Sequence, residues 1–237
     1  MRVVAILPAY NEEAAVSRVV AAVRAQGLPV IVVDDCSTDR TSECAGSAGA
    51  SVVRHDVNRG KGGAVLTGVA EARRLGFTHT LLMDADGQHD PAEIPVFLKA
   101  APSADIVLGS RMHDNAGMPL LRHLTNRTMS IIISGLAHRR ITDSQSGYRL
   151  VAMEVWDTVP VGSSRFDMES EFLITACRAG FRLTEVPVRT IYGSEVSKIN
   201  PWIDTGRFFR LLWRLSSSRP WCQARKARRT RANRTSA

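Results

Sequence analysis

Apolar residues in this chain fall into short unbroken runs that alternate with longer stretches of helical spacing. The runs cover residues 3–7, 30–33, 51–53, 80–83 and 106–108. A run without polar alternation predicts a strand covered on both faces. Between the runs, residues 16–23, the Ala/Val/Leu-rich stretch ending at Leu75, and the stretch from Pro91 to near Ala101 predict helices. Gly27 stops the first, and Pro91 suits a first helical turn. Thr38 or Ser37 is placed to cap the helix that follows the second strand. Strands alternating with helices over short connections predict an α/β fold, a doubly wound, mostly parallel sheet with helices on both faces.

Beyond Arg111 the pattern loosens. Residues 112–117 read as a loop, and residues 119–137 as a long helix carrying Arg122, Asn126 and Arg127 on an apolar background. Residues 142–149 are polar and turn-like. A further helix opens at Phe166 and closes at Gly180, and residues 186–191 read as an edge strand because Pro187 is excluded from a central one. Residues 193–199, with Lys198, read as a mobile loop over a site. The chain thus divides into a domain over 1–200, an amphipathic helix over 201–218 and a basic tail without regular structure over 219–237. In the amphipathic stretch Arg207, Arg210 and Arg214 alternate with Phe208, Phe209, Leu212 and Trp213, a pattern that suits an anionic membrane surface.

Charge sharpens this division. Residues 205–237 hold ten Lys/Arg and no Asp/Glu, so the other 21 basic and 23 acidic residues leave the body at −2. A body of that sign argues against nucleic acid as the main ligand. The four cysteines show no metal-type or redox spacing, and reduced thiols are expected. The chain enters a strand at once, and no apolar run approaches the ~18 residues that span a bilayer. The expected location is cytoplasmic, peripheral to the cytoplasmic face of a membrane.

Candidate chemistry sits at the strand ends. Asp84-Ala85-Asp86-Gly87-Gln88 follows the fourth strand, where open α/β sheets bind ligands. Asp84, Asp86 and Gln88 offer hard oxygen ligands for Mg²⁺ or Mn²⁺. An isolated Asp-x-Asp is more often an acidic turn, so its companions decide. Asn58-Arg59-Gly60-Lys61-Gly62-Gly63 is no P-loop, since Gly62 follows Lys61, and no dinucleotide fingerprint, since Val65 stands at the third glycine. It reads either as a tight turn or as backbone N–H groups and Lys61 held near a nucleotide. Asp35 ends the second strand at the same edge and can meet a ribose or base. Together these residues line one crevice.

Six motifs occur in order: Pro8-Ala9-Tyr10-Asn11-Glu12, Asp34-Asp35-x-Ser37-Thr38-Asp39, Asn58-x-Gly60-Lys61-Gly62, Asp84-x-Asp86-Gly87-Gln88-His89-x-Pro91, Gly109-Ser110-Arg111 and Asp143-x-x-Ser146-Gly147-Tyr148-Arg149. Their conjunction resembles family 2 glycosyltransferases of the nucleotide-binding GT-A fold, in the dolichol-phosphate mannosyltransferase (polyprenyl-phosphate glycosyltransferase) branch, from Met1 to about Arg210. The resemblance implies metal-dependent, inverting transfer of a sugar from GDP-mannose or a UDP-glucose type donor to a polyprenyl phosphate. It implies that Pro8, Tyr10, Glu12, Asp35 and Lys61 bind the nucleotide sugar with Asp84. It implies a Mg²⁺ or Mn²⁺ site at Asp84, Asp86 and Gln88. Arg111, Arg122 and Lys198 would meet acceptor phosphate or leaving diphosphate, and Asp86, Arg111, Asp143 and Glu169 would be catalytic. A saccharide or lipid alcohol acceptor would need a carboxylate base, for which Asp143 and Glu169 are the candidates. A nucleotidyltransferase is disfavoured because residues 8–13 lack glycine. Cys36 stands where relatives carry a small residue, and a small buried side chain without a redox role is expected there.

Overall fold

The structure is a computed structural model that describes residues 1–112, 120–161, 167–189, 191 and 220–235. Its strands are β1 (Val3–Ala9), β2 (Val30–Asp34), β3 (Ser51–Arg54), β4 (His79–Leu82), β5 (Ile106–Ser110), β6 (Arg149–Ala152) and β7 (Leu183–Pro187). They form one seven-stranded sheet in the order β3-β2-β1-β4-β6-β5-β7. Every pairing is parallel except those of β6, which runs antiparallel between β4 and β5. The helices are α1 (Val16–Ala25), α2 (Thr41–Ser47), α3 (Lys61–Arg74), α4 (Ile94–Ala100), α5 (Leu120–Ala137), α6 (Met153–Thr158), α7 (Asp167–Ala179) and α8 (Pro220–Thr235).

Strand alternation divides the core between two layers. Val4, Ile6, Ile31 and Val33 face α3 and, further along, Ile133 of α5 and Phe172 of α7. Ala5, Leu7, Val30 and Val32 face α1 and Phe97 of α4. Both faces are covered, which is why the strand sequences are continuously apolar. Inside the first of these layers Trp156 donates its indole N–H to Thr80 Oγ1 at 2.9 Å and stacks on Phe172.

The structure departs from the sequence pattern at four places. Strand β6 starts at Arg149, the last residue of the stretch taken as polar turn, and was not expected, because Arg149 and the brevity of its apolar part hide the run. The edge strand begins at Leu183 and ends at Pro187, earlier than residues 186–191. Neither Ser37 nor Thr38 caps α2. Asp39 accepts the Thr41 N–H at 3.0 Å instead, while the Ser37 N–H and the Asn11 amide oxygen are used to staple loops. The stretch taken as a tail without regular structure is helical over Pro220–Thr235, with Ala224 fully buried. Residues 193–199 and 201–218 lie outside the described residues. Among the described residues, no helix is long and apolar enough to cross a membrane.

Helix α3 approaches the sheet through Gly68. A Cβ there would stand 2.4 Å from Ile6 Cγ2 and 3.3 Å from Val33 Cγ2. Gly68→Val is expected to cost about 1–3 kcal/mol by overpacking, read from the urea midpoint. Gly135→Ala on α5, where a Cβ meets nothing within 4 Å, serves as the control and should be neutral or stabilising.

Candidate active site

The chain runs outward from β1 through β2 to β3, then returns to lay β4 on the other side of β1. The carboxyl ends of β1 and β4 therefore flank the topological switch point, where loops part and leave a crevice. Pro8 is the penultimate residue of β1, at the edge of that crevice, with Tyr10 exposed and Glu12 half-buried just beyond. Asp84 and Asp86 follow β4, both half-buried.

Lys61, the first residue of α3, sends its ammonium to Asp84 Oδ1 at 2.6 Å and to Glu169 Oε1 of α7 at 3.2 Å. Burial opposes the charge of Asp84, but Lys61, with His89 and Arg111, outweighs it and holds the carboxyl at about 2. Burial likewise opposes the Lys61 charge, and the two carboxylates overcome it and raise its pKa. Behind Glu169 stands Arg149, whose Nη2 lies 3.2 Å from Glu169 Oε2. The rest of its guanidinium is spent on carbonyls of Ser144, Ser146 and Glu169, so this fully buried arginine has hydrogen-bond partners around its fork. Gly147 packs tightly over the cluster: a Cβ would lie 3.0 Å from Lys61 Nζ and 3.2 Å from Asp84 Oδ2. A side chain there would make Lys61 or Asp84 give way.

The metal candidates differ in their present duties. Asp86 Oδ1 accepts the Gln88 N–H at 2.9 Å, which folds the turn after β4. Among the described residues, no three His, Cys, Asp or Glu converge into a metal cage. His89 organises the turn from beneath. The Asp84 N–H donates to its Nδ1 at 3.0 Å, so the neutral ring carries its proton on Nε2. The ring stacks on Tyr148, whose hydroxyl donates to the Asp90 carbonyl at 3.2 Å. Burial first, with the cations Lys61 and Arg111 adding to it, pushes His89 down to about 4 against the pull of Asp84.

Asp35 is 3% exposed and its two oxygens are occupied. They accept the N–H groups of Arg59 and Gly60 at 2.7 Å each, and His55 Nδ1 meets Oδ1 at 2.7 Å. In this arrangement Asp35 shapes the loop that launches Lys61. Neither Asp34 nor Asp35 is a solvated acid: Asp34 binds the Ser37 N–H at 2.8 Å and also meets Ser42 and Arg54. Cys36 is half-buried and not fully inside, and its φ of 67° is a backbone state that favours glycine.

On the far side of the crevice, Arg111 grips Asp143 through a fork, Nε to Oδ2 at 2.7 Å and Nη2 to Oδ1 at 2.9 Å. The carboxylate is fully buried, and the Arg111 N–H also donates to it. Of the residues expected at the site, Lys61, Asp84 and Glu169 are in direct contact, and Arg111 pairs with Asp143. The Arg122 side chain and Lys198 lie outside the described residues. Sequence reasoning missed Arg149, His89 and His55 as working parts. The signal for Arg149 was present, an arginine adjoining an apolar run, which is costly unless it is fully paired.

Two measurements test this geometry. His89 titrates at about 4 when folded and near 6.5 when unfolded, so the unfolded chain takes the proton first. The stabilisation is complete above pH ~6.5 and is lost as pH falls toward ~4, about 3 kcal/mol in all. Urea unfolding across that window should show the slope, and His89→Asn, which keeps an acceptor for the Asp84 N–H, should flatten it. Separately, Arg111→Ala strands a buried carboxylate and should cost about 3–5 kcal/mol, part of which Arg111→Ala/Asp143→Ala recovers.

The glycosyl transferase family 2 model matches residues 4–159. The chain is 31% identical over 87% of its length to UDP-N-acetylglucosamine–dolichyl-phosphate N-acetylglucosaminyltransferase of Methanococcus voltae, covering 93% of that protein. It is 31% identical over 79% of its length to undecaprenyl-phosphate mannosyltransferase of Micrococcus luteus, covering 83% of it. Among solved structures, glucosyl-3-phosphoglycerate synthase from Mycobacterium tuberculosis, in complex with Mn²⁺ and UDP-glucose, superposes with a TM-score of 0.68 at 18% identity. That match covers 92% of this chain and 79% of the other, and it shows a shared GT-A fold. The chain belongs to glycosyl transferase family 2 and is a glycosyltransferase.

Proposed function

We propose that this glycosyltransferase moves a sugar from a nucleoside diphosphate sugar to a polyprenyl phosphate, with inversion at the anomeric carbon. The observation that carries the reading is the condition of the two candidate bases. Asp143 has both oxygens on Arg111, and Glu169 is shared between Lys61 and Arg149. An alcohol acceptor needs a carboxylate able to take its proton. A phosphate monoester is mostly ionised at neutral pH, with a second pKa of about 6, and attacks without a base. Carboxylates tied to cations fit the second acceptor. The relatives from Methanococcus voltae and Micrococcus luteus, which align with most of this chain, are named for lipid phosphate acceptors.

In this reading Pro8, Tyr10, Glu12 and Asp35 surround the base and ribose, Asp35 through the loop it shapes. The donor diphosphate lies against Asp84, Asp86 and Lys61. A divalent cation fits the donor set: two half-buried carboxylates and the Gln88 amide are hard oxygen ligands, and Asp84 already holds a cation, the Lys61 ammonium. Mg²⁺ and Mn²⁺ sites of this kind take one or two carboxylates and complete their shell with substrate phosphates, so a cage of three acidic or imidazole side chains is not required. When bound, Mg²⁺ or Mn²⁺ supplies neutralisation of the charge that grows on the leaving diphosphate. Arg111, its plane fixed by Asp143, together with Arg122 and Lys198, meets the acceptor phosphate, a task that suits planar and flexible cations alike. The segment 201–218 and the basic residues after it hold the enzyme on the cytoplasmic face of an anionic membrane.

The purified chain, given Mn²⁺ or Mg²⁺, UDP-sugars or GDP-mannose and a short polyprenyl phosphate, should form glycosylated lipid. Chelation should abolish the product, and Asp86→Ala should lower turnover by about 100-fold or more. Faster transfer to a free polyprenol than to its phosphate would favour an alcohol acceptor, and no product from any common donor would sink the proposal.

A further inference from the structure

Helix α5 is unusual in what it turns outward. Its inward positions Asn126, Ser130, Ile133 and Ala137 are at most 9% exposed, and two of them are polar. Its outward positions include Leu124 at 60%, Ile131 at 65% and Ile132 at 37% exposure. Spaced by seven and one, these three side chains form an apolar ridge on one helical face. Beside the ridge runs a cavity of about 820 Å³, with Ile131 in its wall next to Arg127, Arg139 and Arg140. Neither the helix nor the described cavity wall contains an Asp or Glu. Arg127 and Arg140 are exposed and have no carboxylate partner among the described residues.

We propose that this face of α5 is an interfacial membrane contact, with Leu124, Ile131 and Ile132 entering the headgroup–acyl boundary of an anionic bilayer and Arg127 and Arg140 meeting lipid phosphates. Large apolar residues beside unpaired arginines are the composition that binds such a surface. Charge selects the bilayer over the other occupants. A second copy docked by the same face would set arginines against arginines, since a two-fold interface is self-complementary. The chain's own residues 205–219 contain four arginines and no acid, and would repel the same face. An anionic surface is the occupant that compensates the charge.

The contact also lies where the proposed function needs it, and this part of the inference rests on that reading. Ser130 of α5 bonds Ser144, the neighbour of Asp143, with the Ser144 N–H donating to Ser130 Oγ at 2.9 Å. Thr142, in the cavity wall, bonds Ser110 beside Arg111 at 2.7 Å. A bilayer on α5 would therefore border the Arg111–Asp143 pair, and a lipid phosphate could reach it without leaving the headgroup layer.

The test uses the full chain and co-sedimentation with vesicles of phosphatidylcholine alone or mixed with phosphatidylglycerol. L124E/I131E should weaken partition onto the mixed vesicles by about tenfold or more, with the circular dichroism spectrum unchanged. L124Q/I131Q, which adds no charge, should give a smaller loss and guards against misfolding of the first variant. R127Q/R140Q should weaken binding to the mixed vesicles and leave the weak binding to phosphatidylcholine as it was. Transfer to a long-chain polyprenyl phosphate in vesicles should fall with partition, while transfer to a short, water-soluble one should not. Unchanged partition in folded L124E/I131E would overturn the proposal. So would a dimer of the parent chain that these substitutions dissociate without weakening vesicle binding. Loss of partition in a chain that transfers sugar to no acceptor would uphold the membrane contact and refute the proposed function.

Discussion

The ion bridge through Lys61 joins the parts of the molecule that must act together. Its ammonium ties the end of β4, at Asp84, to α7, at Glu169, while its own backbone begins α3. Glu169 is far from the other two in sequence, and the fold brings α7 to them at the switch point of the sheet. A charged contact here does what apolar packing cannot, because the crevice must stay open and polar to receive a ligand. The bridge is affordable because each charge has an opposite within reach, and removing any one would leave another half-buried and unmatched.

Around this bridge the fold invests in supports that touch no ligand themselves. Arg149 enters on β6, the one antiparallel strand among the described residues, and β6 is what brings residues 144–149 back over the site. Gly147 can then press against Lys61 and Asp84, and the arginine holds Glu169 from behind. His55 does the equivalent work on the other side, spanning Asp35 and Thr67 so that the loop before Lys61 is fixed at both ends. His89 carries the turn that displays Asp84 and Asp86. Arg149 and His55 are buried, and both ring nitrogens of His55 and the fork of Arg149 find partners in the protein.

Much of the architecture was legible because it depends on periodicity. Continuous apolar runs at β1, β2, β4 and β5 forecast a sheet covered on both faces, and the glycines and prolines between them marked the turns. Strand β6 was hidden because a single arginine stands at its start, and local pattern cannot tell a buried, fully bonded arginine from a surface one. The strand-end acids were legible as a set, but not their division of labour. Sequence alone cannot show that Asp35 faces the loop amides and His55, or that Asp143 is wholly taken by Arg111. Those facts depend on long-range pairing, as between Arg111 and Asp143 across a turn of chain that includes all of α5. The capping of α2 was misassigned for a similar reason: Ser37, Thr38 and Asn11 bond between loops, and only Asp39 was left to serve the helix.

The arrangement of charge is also the ground on which one acceptor chemistry is proposed over another. A carboxylate poised as a base must keep a lone pair unclaimed and a pKa near the working pH, which calls for burial away from cations. Here Asp143 has both oxygens on Arg111, and Glu169 lies between Lys61 and Arg149, so their oxygens are already claimed by cations. The cations gain from the same pairing, since a guanidinium gripped in a fork keeps a fixed plane and loses less freedom when it meets a second oxyanion. A site assembled this way positions an anion and stabilises a departing one. On the proposed reading no base is asked of it, because a nucleophile that arrives already ionised needs none.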